Sequence, residues 1–227
     1  MLKKFIFKLI KHITNPLDSL FFDIRKIYWL YAKFYLTYLK KIKFPETSFL
    51  CPIDYIDLLN LWKNIIKRKP NVILEIGSGY STFAIIAAIN ELSSLNNIRV
   101  KKFYSLEQNE QYLDDMKKFM SKEYLDKVDF VLTDLKIEKI HDTDVATCSN
   151  FPKDKINFIY EDRSDHPVYK IAGDALKIEE NMPEDYFICV DGMTETVNFY
   201  KKFLKRKYNY SGGKFSGSNF EPINYSQ

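Results

Sequence analysis

The stretch Val72-Ile73-Leu74-Glu75-Ile76-Gly77-Ser78-Gly79-Tyr80-Ser81 decides the fold. Five residues make a short apolar run, two glycines follow where a chain must turn sharply, and an apolar, helix-like stretch over residues 81–92 begins at once. A buried strand, a tight turn and a helix, in that order, open a parallel α/β unit, and the glycines let a ligand approach the backbone. The turn lacks the third glycine of a dinucleotide fingerprint and the Lys-Ser/Thr pair of a phosphate-binding loop. A pyrophosphate or triphosphate is therefore not what it is built for.

Outward from this turn the pattern repeats. Strands are expected over residues 100–106, 128–132, 156–160 and 186–190, with helices over 52–69 and 110–119. Val168, Ile171, Ala172, Ala175 and Leu176 fall at i, i+3, i+4, i+7 and i+8 and predict one more helix. Residues 208–225 read as two short strands around Gly212-Gly213-Lys214-Phe215-Ser216-Gly217. The expected fold is α/β: a doubly wound, mainly parallel sheet with helices on both faces and a C-terminal antiparallel hairpin, preceded by an N-terminal helical extension. Ligands of such sheets sit at the C-terminal strand ends. Glu107 ends the second strand, where a carboxylate can accept hydrogen bonds from both hydroxyls of a ribose. Asp134 after the third strand and Glu161-Asp162 after the fourth continue the series of acids. Residues 135–155 show no helical pattern and are expected to form a long connection, either a cover over an acceptor or a surface excursion.

The chain has 227 residues, 46% hydrophobic and 28% charged, enough for one well-buried domain and an extension. We divide it into a basic, aromatic-rich helical extension, 1–45, and a domain, 52–227. Cys51, Cys148 and Cys189 lie far apart with no Cys-x-x-Cys pair, which excludes a disulfide framework or zinc knuckle and fits a reducing cytoplasm. Residues 1–43 hold ten Lys/Arg against two Asp, while the remaining 184 residues carry a net −4. Lys8 and Lys11 interrupt any signal peptide, and residues 20–39 are too charged to span a bilayer. Leu2, Ile6, Leu9, Ile10 and Ile13 predict one amphipathic helix; Leu20, Ile24, Ile27, Tyr31, Phe34, Tyr38 and Ile42 predict the buried stripe of a second. Residues 1–43 can pack on the parent domain, form a homodimer, or lie on the inner membrane surface as a peripheral contact. No nucleic-acid motif accompanies the charge, so no nucleic-acid partner is expected.

With these residues in view, the chain from about residue 52 resembles the class I S-adenosylmethionine-dependent methyltransferases. The resemblance rests on Leu74-Glu75-Ile76-Gly77-Ser78-Gly79-Tyr80-Ser81-Thr82, Ser105-Leu106-Glu107, Thr133-Asp134 and Phe158-Ile159-Tyr160-Glu161-Asp162. It implies S-adenosylmethionine as cofactor, with Glu75, Gly77, Ser78, Gly79, Tyr80, Ser81, Glu107, Gln108, Asp134 and Glu161 around it. The Gly-Tyr-Ser continuation looks most like small-molecule O-methyltransferases, in which acids matching Asp162 and Asp191 help to bind a divalent metal. An Asn follows the second acid in those enzymes; here it is Gly192, and Arg163 adds a cation beside Asp162, so no metal is expected. Asp162, His166 and Asp191 are the catalytic candidates. His166 follows Asp165, a candidate cap of the helix expected there, and a helix N-terminus keeps an imidazole neutral and able to take a proton; a histidine without chemistry in a capping turn is the alternative. The expected activity is methyl transfer to oxygen or nitrogen of a small-molecule or glycan-precursor acceptor. The alternative is a noncatalytic methyltransferase-like module acting in assembly or at a membrane surface. An aminopropyl transferase would share the glycine turn but needs an Asp-rich amine site that the sequence does not display.

Overall fold

A computed structural model describes residues 17–46, 52–96, 99–163, 170–213 and 216–223. Its centre is β1 (Val72–Ile76), buried at every residue, as an apolar run in the middle of a parallel sheet should be. Around it stand β2 (Lys102–Glu107), β3 (Asp129–Leu132), β6 (Phe158–Glu161) and β7 (Phe187–Val190), all parallel. The hairpin β8 (Tyr208–Gly213) and β9 (Ser216–Pro222) adds two antiparallel strands through β7, for a sheet order of β3-β2-β1-β6-β7-β9-β8. The doubly wound sheet and its closing hairpin are those expected from the sequence.

Alternation along the strands sends side chains to two cores. Ile73, Phe103, Phe158 and Phe187 face one layer, packed by α2 (Tyr55–Arg68) and α3 (Tyr80–Asn96). Leu74, Ile76, Leu106, Ile159 and Ile188 face the other, with α6 (Asp174–Ile178) and α7 (Thr194–Phe203). Helix α2 begins at Asp54, whose carboxylate accepts the Ile56 N–H at 2.9 Å, and ends at Lys69 in the left-handed region just before Pro70. Asn109 caps α4 (Glu110–Lys118) in the same way, and the single turn α5 (Lys122–Leu125) leads into β3.

Three expectations are corrected. First, residues 135–155 are not a patternless connection: β4 (Leu135–Ile140) and β5 (Thr143–Cys148) pair as an antiparallel hairpin. Second, the helix expected from the periodicity of Val168 to Leu176 does not include residues 170–173. The Ala146 N–H donates to Ile171 O and the Gly173 N–H to Ala146 O, so this backbone is extended against β5, and the helix starts only at Asp174. Third, α1 (Leu17–Lys33) runs on into a π-helical turn, Phe34–Leu39, whose wider winding rotates the buried face. Ala32, Leu36 and Ile42 enter the core, whereas Ile24, Phe34 and Tyr38 stay exposed. The helix expected over residues 2–13 lies outside the described residues.

Candidate functional site

A cavity of about 460 Å³ opens at the C-terminal ends of β1, β2, β6 and β7. Its floor is the turn after β1. Gly77 has φ +93°, and a Cβ there would collide with the Asp162 carbonyl, so only glycine lets β1 and β6 end side by side. Gly77 N–H donates to Leu106 O at 2.9 Å and Asp162 N–H to Ile76 O at 3.0 Å, which ties three strand ends together. Beneath the turn, the hydroxyls of Thr82 and Ser105 donate to Glu75 Oε2 at 2.7 and 2.6 Å. Since the Ser105 proton is used on Glu75, the 2.8 Å contact between Ser78 and Ser105 has Ser78 as donor. Burial pushes the Glu75 carboxyl up to about 7. Glu75 thus braces the turn through hydroxyls and does not itself line the cavity.

Glu107, the last residue of β2, does reach the cavity wall. Ser78 N–H donates to its Oε2 at 3.1 Å, and the N–H groups of Gln108 and Asn109 to its Oε1 at 2.8 and 2.9 Å. Three backbone donors hold the carboxylate in one orientation and use three of its four lone-pair sites, leaving one on Oε2 for a ligand. Ser78, Gly79, Tyr80, Ser81 and Gln108 line the same region.

Across the cavity three carboxylates face one another: Asp57 from α2, Asp162 after β6 and Asp191 after β7. Burial, then the charge of Asp191, push Asp57 up to about 8 and Asp162 up to about 7; burial raises Asp191 as well. The Tyr160 hydroxyl donates to Asp191 Oδ2 at 3.0 Å, and burial with the charges of Asp162 and Asp191 drives that phenol well above its usual range. Arg163 does not neutralise the acids, because its guanidinium pairs with the fully buried Asp174 and donates to Ala146 O at 3.2 Å. Among the described residues no group of three His, Cys, Asp or Glu is arranged to hold a metal.

The structure therefore brings Gly77, Ser78, Gly79, Tyr80, Ser81, Glu107 and Gln108 to one wall and Asp162 and Asp191 to another. Two more expected cofactor residues do not reach it. Glu161 is fully buried, its Oε2 accepting from Tyr200 at 2.6 Å, and burial, then the charge of Asp174, raise it to about 8. Asp134 is exposed; Thr133 and Leu135 on either side of it form the wall instead. His166 and Asp165 lie outside the described residues. Asp57 is not among the sequence candidates, because an acid in the first turn of a helix ordinarily answers the helix dipole.

No family model matches the chain, and no curated protein matches it in sequence. Among solved structures it is similar to the S-adenosylhomocysteine-bound methyltransferase PaMTH1 of Podospora anserina, with 13% identity, a TM-score of 0.56, and 93% of this chain and 99% of that one covered. The chain has a Rossmann-like methyltransferase fold. A methyltransferase from Geobacter sulfurreducens aligns at 8% identity and TM-score 0.47, over 96% of this chain and 97% of that one. An O-methyltransferase from Bacillus cereus, solved with S-adenosylhomocysteine, aligns at 12% identity and TM-score 0.46, over 96% of each chain. In a methyltransferase fold of this kind the cavity after β1 and β2 occupies the general ligand position of doubly wound sheets.

Proposed function

We propose that the chain transfers a methyl group from S-adenosylmethionine to oxygen or nitrogen of a small-molecule or sugar-containing acceptor. The observation that carries this reading is the meeting of the Gly77–Gly79 turn and Glu107 on one cavity, at the ends of adjacent strands. A cavity of about 460 Å³ is of the size that encloses a cofactor-sized ligand, and Gly77 keeps its floor free of a side chain. The fold neighbour from Podospora anserina was solved with S-adenosylhomocysteine, the same cofactor after transfer.

In this reading the free lone pair of Glu107 Oε2 accepts from the ribose, and the glycine turn with Ser78 and Ser81 lies against the methionine end. Thr133 and Leu135 stand where Asp134 was expected. S-adenosylmethionine supplies a methyl group on a sulfonium sulfur, an excellent leaving group. The protein has to align the acceptor, exclude water and take a proton. Asp162 titrates near neutrality, as a general base working at pH 7 should, and Tyr160 fixes Asp191 beside it. His166 is retained as a second candidate base. Asp57, Asp162 and Asp191 together favour a neutral or cationic acceptor over an anionic one. Incubation with radiolabelled S-adenosylmethionine and pooled hydroxyl- and amine-bearing acceptors tests the reading. Label transferred by the wild type and not by Asp162→Asn supports it; no transfer to any class, with no cofactor binding, defeats it.

A further inference from the structure

The outer face of α1 and of the π-helical turn takes no part in the site above. Leu30 is 50% exposed, Phe34 37%, Tyr38 72% and Leu39 53%. Leu30, Phe34 and Tyr38 recur every four residues, and the rings of Phe34 and Tyr38 stack with centroids 5.1 Å apart, so the three form one ridge. The core is served by the other side of this segment, where Ala32 and Leu36 are fully buried.

Beyond Asp18 and Asp23 in its first turns, the charge on this segment is of one sign. Residues 24–45 contain six Lys/Arg and no Asp or Glu. Arg25 is met by Asp54 and Lys40 by Glu91, acids supplied from α2 and α3. Lys26, Lys41 and Lys43 are exposed, and among the described residues no carboxylate pairs with them.

We propose that this face docks on an anionic lipid bilayer, with Leu30, Phe34, Tyr38 and Leu39 entering the headgroup region and Lys26, Lys41 and Lys43 meeting lipid phosphates. Charge and apolarity both select this occupant. A second copy meeting the same face would bring no acid from residues 24–45 to answer Lys26, Lys41 and Lys43, because a two-fold interface pairs a surface with itself. Nucleic acid would use the lysines but leaves an aliphatic and aromatic ridge uncovered. A bilayer surface accommodates both, apolar side chains below the phosphates and lysine stems reaching up to them.

The test is sedimentation of the full chain with vesicles of phosphatidylcholine alone and of phosphatidylcholine mixed with phosphatidylglycerol. The proposal expects retention on the anionic vesicles at low salt and release as salt is raised. Replacing Lys26, Lys41 and Lys43 by Glu should lower the partition constant at least about fivefold per position, the equivalent of ~1 kcal/mol for each basic side chain at an anionic surface. Leu30→Ser with Tyr38→Ser should also weaken retention, with the melting temperature unchanged. If that pair fails to fold, the lysine set, whose side chains are exposed, still decides. Equal retention on both vesicle types, retention on neither, or capture by a homopolymeric RNA in place of vesicles would overturn the proposal. So would a dimer that Leu30→Ser with Tyr38→Ser dissociates.

Discussion

The carbonyl of Asp162 fills the space that a side chain on Gly77 would need. The contact joins the end of β1 to the end of β6, so the floor of the cavity and one of its acids are set by the same glycine. Gly77→Ala must move backbone as well as accept φ +93°, a strain of about 1–3 kcal/mol before the collision is counted. We expect the melting temperature to fall by at least about 4 °C. Gly192→Ala is the control: it also has positive φ, but nothing lies within 4 Å, so its cost stays near the ~1 kcal/mol of the conformation alone. Thermal melts of the two variants separate close approach from conformational freedom.

Glu107→Gln keeps the shape of the side chain and loses its charge. Hydrogen bonds to a charged group contribute about 1.5–3 kcal/mol, so affinity for S-adenosylhomocysteine should drop roughly tenfold or more. Calorimetric titration reads this directly, and an affinity unchanged by the substitution would remove Glu107 from the cofactor wall.

The raised acids make stability depend on pH. Glu75 and Asp162 titrate near 7 and Asp57 near 8 in the folded chain, against about 4 when unfolded. Between these values the folded chain holds protons that the unfolded chain has lost, so what these three acids contribute to stability is full below about pH 4 and is lost as pH rises through 7 to 8. Asp57→Asn should flatten the decline and raise the melting temperature at pH 8 by about 2–4 °C, the effect of ~1 kcal/mol in a chain of this size. A decline of the same steepness in the variant would show that Asp57 is not among the groups responsible.

Methyl transfer should survive a chelator, because Gly192 stands where the resemblance places an amide ligand. The guanidinium of Arg163, expected beside Asp162, instead lies against β5 and Asp174. Turnover measured with and without EDTA, once an acceptor is found, checks this. Loss of turnover on chelation and recovery with Mg²⁺ would make Asp162 and Asp191 metal ligands.

The main sheet was legible because β1, β6 and β7 are buried throughout and read as apolar runs, broken in β1 only by Glu75, that end in a turn or an acid. The β4–β5 hairpin was not, for a definite reason: its two turn residues, His141 and Asp142, both have positive φ, a geometry usually announced by Asn-Gly. The spacing of Ile171, Ala172 and Ala175 suits a helix, yet the backbone of Ala172 pairs with Ala146 and donates to Thr196 Oγ1 at 2.9 Å. A short apolar pattern cannot tell these states apart. At the site, Gly77 and Glu107 were readable because their roles follow from the strand ends they occupy. Asp57 becomes visible only when the fold lays α2 against the ends of β6 and β7.

The most direct measurement is titration of S-adenosylhomocysteine into the folded full-length chain by calorimetry. The account predicts one site per chain, with binding weakened roughly tenfold or more by Glu107→Gln and lost in Gly77→Ala. A folded wild-type chain that gives no binding would contradict it, leaving a methyltransferase fold that does not use the cofactor.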